Sequence, residues 1–360
     1  MKSPLVHLPL LEPRQDALEK CVYCPKLCRA TCPVSNAEPH ETLIPWGKMS
    51  TSFFMARGDV PIAPEEASVA WACTDCGACT ERCDHKNPVG ATLTDARADL
   101  FERGAAPAGA KDLAASWSAK SEARRAAVAA LNASTQGTPA ARLLLGCSYL
   151  RRSTREAELA KRVTEALVGG PVAVASGCCG LPLLAAGDRG AYAREQAALA
   201  SDLSGDAPVI VADPGCFRTI QAALPSATLL VDRAAASIDR FQHKPGLPVP
   251  RYHDPCQLGR GLGRYDAPRA IIERVVGERP HEFERARERA DCAGSGSILP
   301  LTRPEGSAQI AKDRIAEHTR LGDGKEVPIA TACGSSLHRF RSSGSRTLDL
   351  LEYMAIGLGV

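Results

Sequence analysis

Cys73-Thr-Asp-Cys76-Gly-Ala-Cys79-Thr-Glu-Arg-Cys83, preceded by Cys21-Val-Tyr-Cys24-Pro-Lys-Leu-Cys28-Arg-Ala-Thr-Cys32-Pro33, gathers eight of the chain's 15 cysteines into two short runs. A cubane iron–sulfur cluster needs soft, deprotonated sulfur at four corners, and three closely spaced cysteines on a tight loop can wrap three of its irons. The second run has the C-x2-C-x2-C-x3-C spacing of such a loop. Structural zinc more often pairs two C-x2-C units across a longer loop, so zinc is the lesser expectation here.

In two-cluster ferredoxins the fourth cysteine of each run ligates the other cluster. That assigns Cys21, Cys24, Cys28 and Cys83 to one [4Fe-4S] centre, and Cys73, Cys76, Cys79 and Cys32 to the second. Pro33 would turn the chain for the exchange. Two departures stand out: three residues separate Cys24 from Cys28, and Asp84 stands where proline usually follows the fourth cysteine. His85 reads as a solvated loop histidine rather than a substitute ligand. The 40 residues between Cys32 and Cys73 exceed what a compact β-type ferredoxin needs, so residues 1–104 are expected to form a helical domain. Lys48–Arg57 reads as a helix ended by Gly58 with Pro61 beyond, and Thr92–Arg103 as another closed by Gly104.

Working outward, 360 residues suit two or three domains. Lys and Arg total 44 against 41 Asp and Glu, which gives no electrostatic reason to expect nucleic acid. The opening segment, broken by Pro4, Pro9 and Pro13, lacks the apolar run of a secretory signal. No stretch approaches the ~20 apolar residues of a membrane span. A cytoplasmic location is expected, with docking at the inner face of a membrane through a partner left open. In that compartment thiols stay reduced, which favours metal ligation over disulfides.

Residues 105–140 are Ala-rich with scattered charge and read as a solvated linker helix. Beyond them, Leu143–Leu145, Val172–Val174 and Val209–Val211 read as buried strands separated by helical stretches, an α/β pattern. The pattern recurs: Cys147, Cys179 and Cys216 are followed by Cys256, Cys292 and Cys333 at offsets of 109, 113 and 117 residues. Two pseudo-repeated α/β lobes are therefore expected, at 141–245 and 249–360, divided by Lys244-Pro-Gly-Leu-Pro248. Gly259-Arg-Gly261-Leu-Gly263 follows a cysteine rather than opening a dinucleotide fingerprint, so no phosphate loop is expected there. His281, His318 and His338 form no constellation and are expected at the surface.

The arrangement Cys147…Cys178-Cys179-Gly180…Cys216, repeated as Tyr252-His253-Asp254-Pro255-Cys256…Cys292…Cys333 behind a two-cluster domain, resembles the heterodisulfide reductase and glycolate oxidase iron–sulfur subunit family. The likeness covers nearly the whole chain. It implies that each lobe is a cysteine-rich "CCG" domain of the pattern Cys, Cys-Cys-Gly, Cys-x2-Cys. In heterodisulfide reductases such lobes hold noncubane [4Fe-4S] clusters. Asp213 occupies the place of the first cysteine of the closing pair, leaving Cys147, Cys178, Cys179 and Cys216 for a third cluster. In the second lobe Asp291 and Ala330 are read as replacements, leaving Cys256, Cys292 and Cys333. Those three suit an incomplete cluster, zinc with His253 or Asp291 as a fourth ligand, or no metal, and an empty lobe is expected.

The resemblance implies an electron-transfer subunit that takes electrons from a flavin-containing oxidoreductase partner and delivers them to the CCG half or to a membrane carrier. A second expectation is catalytic, with Cys179 the candidate in a centre that reduces a disulfide. A third is a redox-sensing or zinc-holding scaffold.

Overall fold

The computed structural model describes residues 5–322 and 327–360. Pro4 and residues 323–326 of the second lobe lie outside them. The chain divides into two compact units that are not contiguous in sequence. The first comprises residues 1–117, 180–193 and 291–314, and the second 118–179, 194–290 and 315–360.

The first unit is helical. Its principal helices, Pro45–Arg57 and Val89–Glu102, each begin three residues before the expected start. Pro45 is tolerated at the first helical position because the N–H it lacks has no intrahelical acceptor there. Both helices end in a Schellman motif. Gly58, at φ +86°, donates to Met55 O, and Asp59 N–H reaches Phe54 O at 2.9 Å. Gly104 and Ala105 repeat the arrangement with Phe101 and Leu100. Trp71, Phe53, Met49 and Leu93 are buried between the helices.

The second unit contains two parallel sheets. Strands β1 (Ala141–Leu144), β2 (Val172–Val174), β3 (Val209–Val211) and β4 (Thr228–Leu229) lie in the order β2-β1-β3-β4. Strands β5 (Arg251–His253), β6 (Ile329–Thr331) and β7 (Thr347–Asp349) follow in the order β5-β6-β7. An isolated parallel bridge from Arg251 to His281 stands beside β5 where β2 stands beside β1. The two sheets therefore share one topology, as a duplication requires. The strands are short; β2 and β3 are apolar runs, whereas β5 and β7 carry buried Arg251, His253, Thr347 and Asp349. One core joins the lobes, with Leu143, Val172 and Ile210 continuous with Tyr252, Ala330 and Leu351. Tyr149 Oη donates across it to Asp349 Oδ2 at 2.9 Å.

The Ala-rich stretch differs from its expectation. It forms two helices, Ala108–Ala115 and Trp117–Asn132, and the second is anchored. Val128 enters the core, and buried Arg124 donates to Ser176 O at 2.9 Å and pairs with Glu195. Asn132 bonds both the N–H and the C=O of Val174, at 2.8 and 2.9 Å, closing the free edge of β2. Alanines reduced the apolar signal, but this helix packs on the sheet. His318 and His338 also differ, being half-buried, while His281 is exposed.

Candidate metal centres

In the first unit the two cysteine runs exchange their last members. Beyond burial and a hydrogen bond from Asn87, Cys21 responds to the charges of Cys28, Cys24 and Cys83. Cys32 instead lines a pocket with Cys73, Cys76 and Cys79. The backbone explains the convergence. Asp75 (φ +52°) and Gly77 (φ +74°) are left-handed, and they wind the loop so that its thiols share one side. Asp75 N–H donates to Cys73 Sγ at 3.4 Å. Cys83 ends the helix Ala78–Arg82, while Cys32 precedes the helix Pro33–Ala37. His85 is exposed.

The charges around the two groups differ. Asn87 Nδ2 donates to Cys21 Sγ at 2.9 Å, a neutral contact. Lys48, buried at 1% exposure, donates from Nζ to Cys32 Sγ at 3.2 Å. Burial alone would pull the Lys48 ammonium down, but the charges of Cys32 and Cys73 hold it above its usual range. Burial opposes ionisation of Cys32 as well, yet Lys48 brings that thiol below its ordinary value. Desolvation leads at Cys28, which rises to about 11, and at Cys21, which rises to about 12 despite the hydrogen bond from Asn87; burial also raises Cys73 and pushes Cys79 well up.

In the first lobe, ligands of an open α/β sheet belong beyond the carboxyl ends of the strands, at the point where the strand order reverses. Here that point lies between β1 and β3. Cys147 follows β1, Cys178 and Cys179 follow β2, and Cys216 sits in the first turn of the helix Pro214–Ile220. Their sulfurs close in pairs, Cys147 to Cys178 at 3.0 Å and Cys179 to Cys216 at 3.2 Å. Gly146 must be glycine, since at φ +94° a Cβ there would meet Asp213 Cβ at 2.7 Å and Cys216 Sγ at 3.4 Å. Asp202 accepts from Ser176 N and Gly177 N at 2.7 and 2.9 Å, and the Gln196 amide holds Cys179 O. Asp213 caps its helix by accepting from Gly215 N and Cys216 N at 2.9 and 3.1 Å. The hydrogen bond to Cys178, then burial, push Cys147 well up. Cys216 reaches about 12, because burial and Asp213 outweigh its hydrogen bond to Cys179. Holding these sulfurs as thiolates at neutral pH requires the positive charge of bound metal.

The second lobe requires a correction. Spacing aligns Cys333 with Cys216 and reads Ala330 as the lost partner. Leu143, four residues before Cys147, pairs with Ile210, and Tyr252, four before Cys256, pairs with Ala330. Ala330 therefore matches Ile210, a fully buried core position within β6. Cys333 then matches Asp213, and Ser336 matches Cys216. Both Asp213 and Cys333 are helix N-caps, which confirms the register. The 117-residue offset is short by three because it pairs the first position of one closing pair, Cys333, with the second position of the other, Cys216, three residues further on. Burial, then Asp213, raise Cys333 to about 12. Cys256 and Cys333 belong to the second unit and Cys292 to the first. Asp291 lies 3.8 Å from buried Arg314. His253 is buried edge-on to Phe340, with ring centroids 4.9 Å apart. Arg260 of the glycine-rich turn bonds Ala290 O at 2.7 Å, a packing role.

Among the described residues no three His, Cys, Asp or Glu side chains stand at single-ion spacing. The fit is to groups of four soft thiols, which is the donor set of iron–sulfur clusters. Sequence reasoning missed Lys48, Asn87, Arg97 and Arg124. Lys48, the one charged residue between Glu41 and Arg57, carried the one available signal.

Residues 17–87 match the 4Fe-4S dicluster domain, and residues 142–221 and 251–338 match the cysteine-rich CCG domain. A dihydromethanophenazine:CoB–CoM heterodisulfide reductase chain of Methanosarcina barkeri is 26% identical over 203 residues, 51% of this chain and 50% of that one. Its counterpart in Methanosarcina mazei is 28% identical over 116 residues, 30% of this chain and 27% of that one. A probable membrane-anchored ferredoxin of Chromohalobacter salexigens is 42% identical over 76 residues, 21% of this chain and 10% of that one. The chain thus spans between about a quarter and half the length of the two heterodisulfide reductase relatives. A two-cluster ferredoxin domain followed by two CCG domains is the arrangement expected from the resemblance to the heterodisulfide reductase and glycolate oxidase iron–sulfur subunit family. The chain is an iron–sulfur electron-transfer protein, and its dicluster domain carries two [4Fe-4S] clusters. Among the described residues no helix is long and apolar enough to cross a membrane.

Proposed function

We propose that this chain is the iron–sulfur subunit of an oxidoreductase. It takes electrons from a flavin-containing partner and delivers them to the first-lobe centre or to an onward carrier, which in some settings is at a membrane. The observation that supports this most is the exchange of Cys83 and Cys32 between the two N-terminal thiol groups. It supports the reading in which Cys21, Cys24, Cys28 and Cys83 hold one cluster and Cys73, Cys76, Cys79 and Cys32 hold the other. Bound there, the clusters supply one-electron storage without bond rearrangement. The protein's part is to hold the thiolates, exclude water from the second group and present the first to a partner. Tyr23 and Leu27, in the loop of the first run, are 81% and 62% exposed and offer that partner an apolar surface.

Protein purified without oxygen, reduced by dithionite and returned by an acceptor dye, should cycle repeatedly. Cys83→Ser and Cys24→Ser should abolish one EPR signal, and Cys32→Ser and Cys76→Ser the other. Signals that pair by sequence run, Cys83 with Cys76, would contradict the assignment. Protein that holds metal but does not cycle would favour a scaffold.

Disulfide reduction at the first-lobe centre is a second reading, favoured by the pairwise closure of Cys147 with Cys178 and Cys179 with Cys216. Disulfide reduction retained by Cys179→Ser would exclude it.

A further inference from the structure

We propose that Lys48 and Arg97 set the cluster held by Cys32, Cys73, Cys76 and Cys79 at the higher reduction potential of the two, so that an electron entering the first unit comes to rest there. The inference rests on the ligand assignment above.

A buried charge must be paired, because taking it out of water costs far more than one hydrogen bond returns. Lys48 is 1% exposed, and its hydrogen-bond acceptor is Cys32 Sγ at 3.2 Å. Arg97, fully buried, donates from Nε to Ala70 O at 2.8 Å, from Nη2 to Cys73 O at 3.3 Å and to Ser297 Oγ. The guanidinium is thereby locked against the residue that opens the second run. One carboxylate, Asp75, lines the same cavity and subtracts from the two cations. The cluster is the anion that this surplus of positive charge awaits.

Reduction adds one electron, and so one negative charge, to a cluster, with no bond made or broken. Two opposing effects act on that step in the second group. Burial disfavours the added charge, whereas adjacent cations favour it. A cation in contact acts through the low dielectric of the interior, where its attraction is several times that of a surface charge. The group around Cys21 has a neutral donor, Asn87, at 2.9 Å, and its other leading influences are burial and thiols. Burial still raises Cys73 and pushes Cys79 well up. The proposed order therefore rests on the direct contacts of Lys48 with Cys32 Sγ and of Arg97 with Cys73 O.

The test is an EPR-monitored redox titration with dithionite of the whole protein and its Lys48→Met, Lys48→Arg and Asn87→Ala variants, with iron and sulfide measured on each. Lys48→Met should leave about eight cubane irons in place. At the wild-type upper midpoint it should lower the reduced-to-oxidised ratio about tenfold, which for one electron is ~59 mV. Lys48→Arg, which keeps the charge, should restore the upper midpoint, and Asn87→Ala should move only the lower one. If Lys48→Met loses iron, Lys48→Arg carries the test: iron intact with the upper midpoint retained supports the inference. An upper midpoint unmoved in Lys48→Met with iron intact, or a shift of the lower midpoint instead, overturns it. Failure of the ligand assignment reads out separately, as wrong pairing of the cysteine variants.

Discussion

The two lobes have the same strand order and register, yet they kept opposite halves of the closing cysteine pair. The first has Asp213 and Cys216, and the second has Cys333 and Ser336. In both, the second residue after the strand is a helix N-cap, a position that asks for an acceptor and is satisfied by aspartate without a metal. Loss of a thiol there costs the first lobe little, since Asp213 takes two backbone N–H groups while Cys216 still meets Cys179. The second lobe kept the cap cysteine and lost the one in the helical turn. The comparison teaches that a position of the closing pair can have a structural duty of its own, since Asp213 and Cys333 both cap the helix that follows their strand.

The sharpest way to break this comparison is to remove matched thiols. Cys216→Ser should cost about four irons per chain, while Cys333→Ser should cost none. Equal losses would mean that the lobes share a centre or that both are loaded.

Asp349, buried at the end of β7, comes next. Burial raises its carboxyl from 3.8 to about 7. Between those values the folded chain holds a proton that the unfolded chain has released, so stability is greatest below about pH 4 and falls as pH rises to about 7. Asp349→Asn, which keeps a capping acceptor, should remove a fall on the order of a few kcal/mol across that range, read from denaturant midpoints. An unchanged slope would place the titration elsewhere.

The strand register can be checked by stability. Ala330→Cys should cost about 1–3 kcal/mol by overfilling the core. Ser336→Cys, at a former ligand position, should cost less than about 1 kcal/mol. The reverse order would restore the 117-residue alignment. Asn132→Leu, which frees two edge groups of β2, should lower stability by about 1–2 kcal/mol.

The metal-binding half of this account was legible because cluster ligation needs particular atoms at particular spacings, and Cys73 to Cys83 states them outright. The strands β2 and β3 were legible as short apolar runs between turn signals. The second-lobe register was not, since cysteines were aligned across loops whose lengths are free to vary, and only strand pairing fixes Ala330 inside β6. The Trp117–Asn132 helix was misread because its anchors, Arg124 and Asn132, are polar and their partners lie far along the chain. Arg97 was invisible for the same reason: a cation's burial is decided by tertiary packing, not by its neighbours in sequence.

Iron, sulfide and zinc per chain, determined together with EPR spectra on anaerobically purified protein, test the central claim most directly. About twelve irons, coupled cubane signals on reduction and a further signal on oxidation are the expected result. Zinc in place of iron with no reducible signal would contradict it, as would about eight irons unchanged by Cys216→Ser.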